Sequence, residues 1–146
     1  MRIYTFGTSL RSEEAFIETL THYRIAALLD VRSFPKSKIP TYNRAYLEQL
    51  MTGCGIVYRF LGKELGGFRK GGYEAYTKTD SFRKGIDAIE QTAKEKVSVI
   101  VCAEKLPWKC HRRFIAAELN RRGWEIVHIL ETDKIWRPGK ATSQAG

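Results

Sequence analysis

Residues 102–112 hold two cysteines, a carboxylate, an imidazole and a guanidinium: Cys102, Glu104, Cys110, His111 and Arg112. Each type has its own chemistry. A thiolate is a nucleophile or a metal ligand. Imidazoles and carboxylates move protons. A guanidinium grips oxyanions with two parallel hydrogen bonds. The run before them, Val97-Ser98-Val99-Ile100-Val101, is apolar and β-branched. A buried strand requires such a run, but it does not require this polar cluster at its exit.

Most of these residues have both a functional and a structural reading. Cys102 is a nucleophile, or a small residue that finishes a buried strand. Cys110 lies near a predicted helix N-terminus, where the dipole and free amides lower a thiol's pKa. It is then a nucleophile, a resolving partner for Cys102, or a packing residue. A Cys102–Cys110 disulfide depends on a Cα spacing that sequence does not supply. Glu104 opposes a thiolate by like charge unless it pairs with Arg32 or Arg112, so it reads as catalytic acid or ion-pair scaffold. His111 is a general acid/base or a surface residue. Arg112 is an expected anion-binding group. Cys102, Glu104, Cys110 and His111 are zinc-ligand types, but the cysteines are spaced too widely for a usual zinc motif. Neighbours on a helix also diverge by about 100°. The expectation is no metal and no cofactor.

A second group closes another predicted strand. Arg32 would face a ligand oxyanion with Asp30 as its orienter, or the two would form a salt bridge. Lys36 extends the basic loop as a further anion contact. Ser9, after Gly7 and Thr8, makes a crude phosphate cradle that lacks the glycines and lysine of a P-loop. Gly66, Gly67, Arg69 and Tyr73 lie in a glycine-rich, aromatic, basic stretch that reads as a lid, a stacking platform or a plain flexible loop. Tyr42 and Tyr76 could also stack or donate a hydroxyl. Cys54 reads as incidental, and His22 and His128 as surface residues without a role.

The elements that must carry these groups alternate. Strand signals fall at residues 3–6, 26–29, 56–61, 97–101 and 124–130. Helix signals lie between them. Ser12 caps the first, Asn43 the second, and Asp80 or Ser81 opens the third, with Phe82, Ile86, Ile89 and Ala93 on one face. Pro107 opens the fourth, and Gly123 follows it. About five mainly parallel strands alternating with four helices make one α/β domain over residues 1–136. A polar, flexible tail covers residues 137–146. In open parallel sheets ligands bind beyond the carboxyl ends of the strands. Both clusters fall on that edge.

The chain has 146 residues and a net charge of +9. That length allows a single buried core. The charge is focused. Residues 32–44 carry Arg32, Lys36, Lys38 and Arg44, residues 105–113 carry Lys105, Lys109, Arg112 and Arg113, and neither stretch has an acid. Such focus implies a small anionic substrate or a nucleic-acid phosphate as partner. No apolar run is long enough for a membrane span. An odd cysteine count and a strand-like start predict reduced thiols, no signal peptide and a cytoplasmic protein.

Several motifs carry a family resemblance: Thr5-Phe6-Gly7-Thr8-Ser9, Asp30-Val31-Arg32-Ser33-Phe34-Pro35, Asn43, Leu65-Gly66-Gly67, Cys102-Ala103-Glu104 and Cys110-His111-Arg112. Over roughly residues 3–130 the chain resembles the bacterial and archaeal family catalogued as domain of unknown function 488. The resemblance implies functional importance for Cys102 and Cys110 but no established activity. Family members commonly carry His where this chain has Thr8. A second similarity is to rhodanese-like domains, which share an Asp-Val-Arg at a strand end and a catalytic cysteine after an apolar strand. Their cysteine loop is shorter than the one here. These readings together imply a thiol-dependent enzyme, for sulfur or other group transfer, with an oxyanion pocket. The alternative is a nucleotide or nucleic-acid phosphate-binding module without catalysis.

Overall fold

The four inner strands of a six-stranded sheet each place side chains into two cores, one on either face. The computed structural model describes residues 1–35 and 37–138. Lys36 and residues 139–146, most of the expected tail, lie outside the described residues. Six strands form one sheet: β1 (Arg2–Gly7), β2 (Ala27–Asp30), β3 (Val57–Phe60), β4 (Ser98–Cys102), β5 (Glu125–Glu131) and β6 (Lys134–Trp136). Their order is β3-β2-β4-β1-β5-β6. The first five are parallel, and β6 folds back antiparallel on β5. The sequence pattern missed β6 because it is a three-residue edge strand.

The helices are α1 (Glu13–His22), α2 (Arg44–Gly53), α3 (Gly62–Leu65), α4 (Tyr73–Tyr76), α5 (Asp80–Ala93) and α6 (Arg112–Arg121). Phe16 and Leu20 of α1 and Leu47 and Met51 of α2 pack with Val99 and Val101 on one face of the sheet. Phe82, Ile86 and Ile89 of α5 and Ile115 and Leu119 of α6 pack with Ile100 and Cys102 on the other. The result is an αβα sandwich. Alternation along β4 therefore assigns Cys102 to the α5/α6 side.

Two local details differ from the periodic pattern. The glycine-rich stretch after β3 is not one loop, because α3 and α4 are short helical turns within it. The fourth helix does not begin at Pro107. Pro107–Lys109 makes a single 3-10 turn, and Cys110 is extended at φ −137° and ψ 155° before α6 starts at Arg112. That break lets Cys110 face a different direction from the helical side chains after it. The Ser12 cap is present, its side chain accepting from the Ala15 amide. Asn43 occupies the cap position of α2, but its Oδ1 accepts from the Ser37 amide instead. α5 opens at Asp80 as expected, with Thr79 as its cap.

Candidate functional site

Loops leaving β2, β3 and β4 meet at the carboxyl edge of the sheet around a cleft of about 340 Å³. Cys102, Cys110 and His111 line it, together with Arg32, Ser33, Phe34, Gly67, Phe68 and Lys109. Cys102 ends β4 and is buried. Its Sγ lies 2.9 Å from Cys110 Sγ. Both cysteines are free thiols. Cys110 Sγ also lies 3.6 Å from His111 Nδ1 and accepts from the Arg112 backbone amide at 3.5 Å.

The imidazole is oriented by its far nitrogen. His111 Nε2 is 2.9 Å from the Val31 carbonyl oxygen. A carbonyl only accepts, so Nε2 carries the proton, and Nδ1 is left to exchange one with Cys110. Gly67 makes room for this ring. A Cβ there would lie 2.7 Å from His111 Nδ1.

The two thiols titrate in opposite directions. Cys110 is held well below the ordinary thiol range, chiefly by the hydrogen bond from Cys102. Burial opposes that shift, while His111 and the Arg112 amide assist it. Cys102 is pushed up by burial first and by its contact with Cys110 second. The Arg112 charge pulls Cys102 the other way. A thiol donating to a thiolate accounts for both directions.

The two arginines expected to bind anions are otherwise occupied. Arg32 donates to both carboxylate oxygens of Asp30 at 2.8 Å and to the Tyr42 carbonyl at 2.6 Å. Tyr58 adds its hydroxyl to Asp30 Oδ2 at 2.6 Å. Asp30 and Arg32 are both buried, so the salt-bridge reading holds for this pair. Arg112 is fully buried and does not line the cleft. Its Nη2 donates to the carbonyls of Glu104 and Lys105, each at 2.8 Å, and its Nη1 donates to Thr5 Oγ1 at 3.1 Å. Thr5 Oγ1, which accepts from Arg112, also lies 2.5 Å from His128 Nδ1. His128 is therefore buried and hydrogen-bonded, not a surface residue, and burial with the nearby Arg112 charge lowers its pKa to about 3.

Other expected site residues are placed as follows. Glu104 lies exposed at the cleft and accepts from the Leu106 amide at 3.2 Å, pairing with neither Arg32 nor Arg112. Ser9 is outside the cleft, and its amide donates to the Ala103 carbonyl. Arg69 donates to the carbonyls of Gly66 and Lys63 and stacks on Tyr76. Tyr73 is core, bonded through its hydroxyl to the Leu65 carbonyl and packed on His111 and Phe114. Gly66 and Gly67 pack against Ser33 and His111, so this stretch forms part of the cleft wall. Among the described residues no three His, Cys, Asp or Glu side chains group as a metal site. No helix among them is long and apolar enough to cross a membrane.

Sequence reasoning gave no place to His128, Tyr58 or Ser33. The polar His128 inside the apolar strand 126–130 was the available signal. Phe34 and Phe68 are 72% and 80% exposed and touch across the cleft mouth, with ring centroids 5.7 Å apart.

The family model described as domain of unknown function DUF488 matches residues 12–119. No curated protein matches the chain significantly.

Proposed function

The chain belongs to the family of domain of unknown function DUF488, and from its own site we propose a thiol-dependent group-transfer enzyme with Cys110 as nucleophile. The observation that carries this reading is the direct contact of Cys110 Sγ with three groups that favour its thiolate. These are the Cys102 thiol, the His111 imidazole and the first amide of α6.

The roles follow from the geometry. His111 removes the Cys110 proton through Nδ1, with the Val31 carbonyl fixing the ring. Cys102 donates to the thiolate and stands behind it in the wall of the cleft. Asp30, Arg32 and Arg112 are positioning residues. Arg32 and Asp30 hold the loop after β2, and Arg112 ties down the backbone of the β4 exit. Lys109 lines the cleft and has no partner among the described residues, so we assign it the substrate's anionic group. Glu104, exposed at the same mouth, would disfavour a polyanion close by. That disposition favours a small substrate over a nucleic-acid backbone.

Cys54 is exposed and serves as an internal standard. Limited alkylation by iodoacetamide at pH 6, mapped by mass spectrometry, should label Cys110 well ahead of Cys54. His111→Gln should narrow the difference. Labelling of Cys110 at or below the Cys54 rate would remove the basis for a nucleophile.

A further inference from the structure

A thiolate alone would serve many electrophiles, but a second thiol in contact with it narrows the choice. We propose, building on Cys110 as the nucleophile, that the site reduces a small organic disulfide bearing a flat apolar group, with Cys102 as the resolving thiol. In the first step the Cys110 thiolate attacks one substrate sulfur. A Cys110–substrate disulfide forms, the substrate's sulfur–sulfur bond breaks, and the first half leaves as a thiolate. In the second step Cys102 Sγ, 2.9 Å from Cys110 Sγ in the resting pair, attacks Cys110 Sγ. The Cys102–Cys110 disulfide forms, the bond to substrate breaks, and the second half leaves with the Cys102 proton. The two electrons that reduce the substrate come from the cysteine pair. An external dithiol restores the pair by two further exchanges and is itself oxidised to its disulfide.

Cys102 suits this role because it is almost wholly covered and has Cys110 as its sulfur neighbour. It is 1% exposed, and its side chain is bounded by Cys110 and the Glu104 carbonyl. Its raised pKa keeps it protonated until Cys110 has given up its charge to a substrate bond.

The cleft mouth sets the substrate's shape. Phe34 and Phe68 come from separate loops that are joined by the Phe68 amide donating to Ser33 Oγ at 3.2 Å. Two largely exposed phenyl rings at the entrance of a thiol cleft leave their faces to water. A flat apolar group would cover them, since aromatic rings gain by offset or tilted stacking beyond their buried area. Lys109 stands on the third loop of the same mouth, where it can meet a carboxylate on that group.

The test uses the full chain with Cys54→Ser, so that the exposed thiol does not report. The probe is dithiobis-nitrobenzoate, a flat, carboxylate-bearing, chromogenic disulfide. The Cys54→Ser protein should release two equivalents of coloured thiol and end as an intramolecular disulfide without adduct. Adding Cys102→Ser should give one equivalent and a stable adduct on Cys110. A stable Cys110 adduct with Cys102 present would overturn the resolving role and leave the nucleophile intact. No adduct at Cys110 in the Cys102→Ser protein would overturn the nucleophile itself. Phe34→Ala with Phe68→Ala should slow the aromatic probe about tenfold and leave hydroxyethyl disulfide nearly unchanged. Equal effects on the two probes would overturn the flat-group assignment.

Discussion

Arg32 and Arg112 both sit at the carboxyl edge of the sheet, both are buried, and both hold a loop of the cleft, yet their charges are handled differently. Arg32 faces the Asp30 carboxylate in a two-bond fork, and the pair is close to neutral as a unit. Arg112 meets two carbonyls and a hydroxyl, with no carboxylate among its hydrogen-bond partners and with Nε unpartnered. A paired charge mainly positions. An unpaired one also projects a field, and the groups that respond are nearby: the Arg112 charge favours the Cys102 thiolate and disfavours a charged His128. One arginine is thus a brace, and the other is a brace that also biases the thiol pair.

The contrast can be broken most strongly at Arg32. Arg32→Ala would leave the Asp30 carboxylate buried without its cation, and breaking such a pair costs about 3–5 kcal/mol. Arg112→Met leaves carbonyls unsatisfied but strands no opposite charge, for about 1–3 kcal/mol. Urea melts of the two variants should fall in that order, and the reverse order would contradict the division of roles.

Reactivity should rank the other way. Arg112→Met should slow the resolving step at Cys102 by about tenfold, equivalent to one pKa unit, because the Arg112 charge favours the Cys102 thiolate. Arg32→Met paired with Asp30→Asn should leave the rate within about twofold, since no net charge is lost. Equal slowing in both would mean that the loop's shape, and not the Arg112 charge, governs the thiol.

His128 carries the field's effect into acid stability. The folded protein keeps it neutral down to about pH 3, against an ordinary value of 6.5. Between those values the unfolded chain binds a proton that the folded one refuses. Stability is therefore complete above pH 6.5 and declines as the pH falls toward 3. His128→Asn keeps a hydrogen-bonding partner for the Thr5 hydroxyl and should flatten that decline. An unchanged slope would show that His128 does not titrate against Arg112. The smallest effect is expected at Gly67→Ala, whose Cβ would crowd His111 Nδ1. It should cost about 1 kcal/mol of stability and slow alkylation of Cys110 more than that of Cys54.

Much of this arrangement could be read from residue order. The strand run at 97–101 and the helical stripe of Phe82, Ile86 and Ile89 are periodic, so the parallel sheet and its carboxyl edge followed. The cysteines, His111 and Asp30 then had to converge there, because every loop after a parallel strand leaves the same edge. What could not be read was direction. Arg112 was expected to point at a ligand and points into the protein instead, while Arg32 lines the cleft held in the Asp30 salt bridge that was its other reading. The groups that complete both sites lie far along the chain, such as Thr5 for Arg112 and Tyr58 for Asp30. The fourth helix was misplaced for a similar reason. Pro107 signals a helical start, but the turn it opens stops after one turn, and that stop is what brings Cys110 against Cys102.

The most direct measurement is the thiolate ultraviolet absorbance of Cys54→Ser across the pH range in which the protein stays folded, with the Cys110→Ser spectrum subtracted. A Cys110 transition with its midpoint below neutrality is expected, far under the value of about 8.5 for a free thiol. A midpoint at or above that value would contradict a thiolate held by Cys102, His111 and the start of α6.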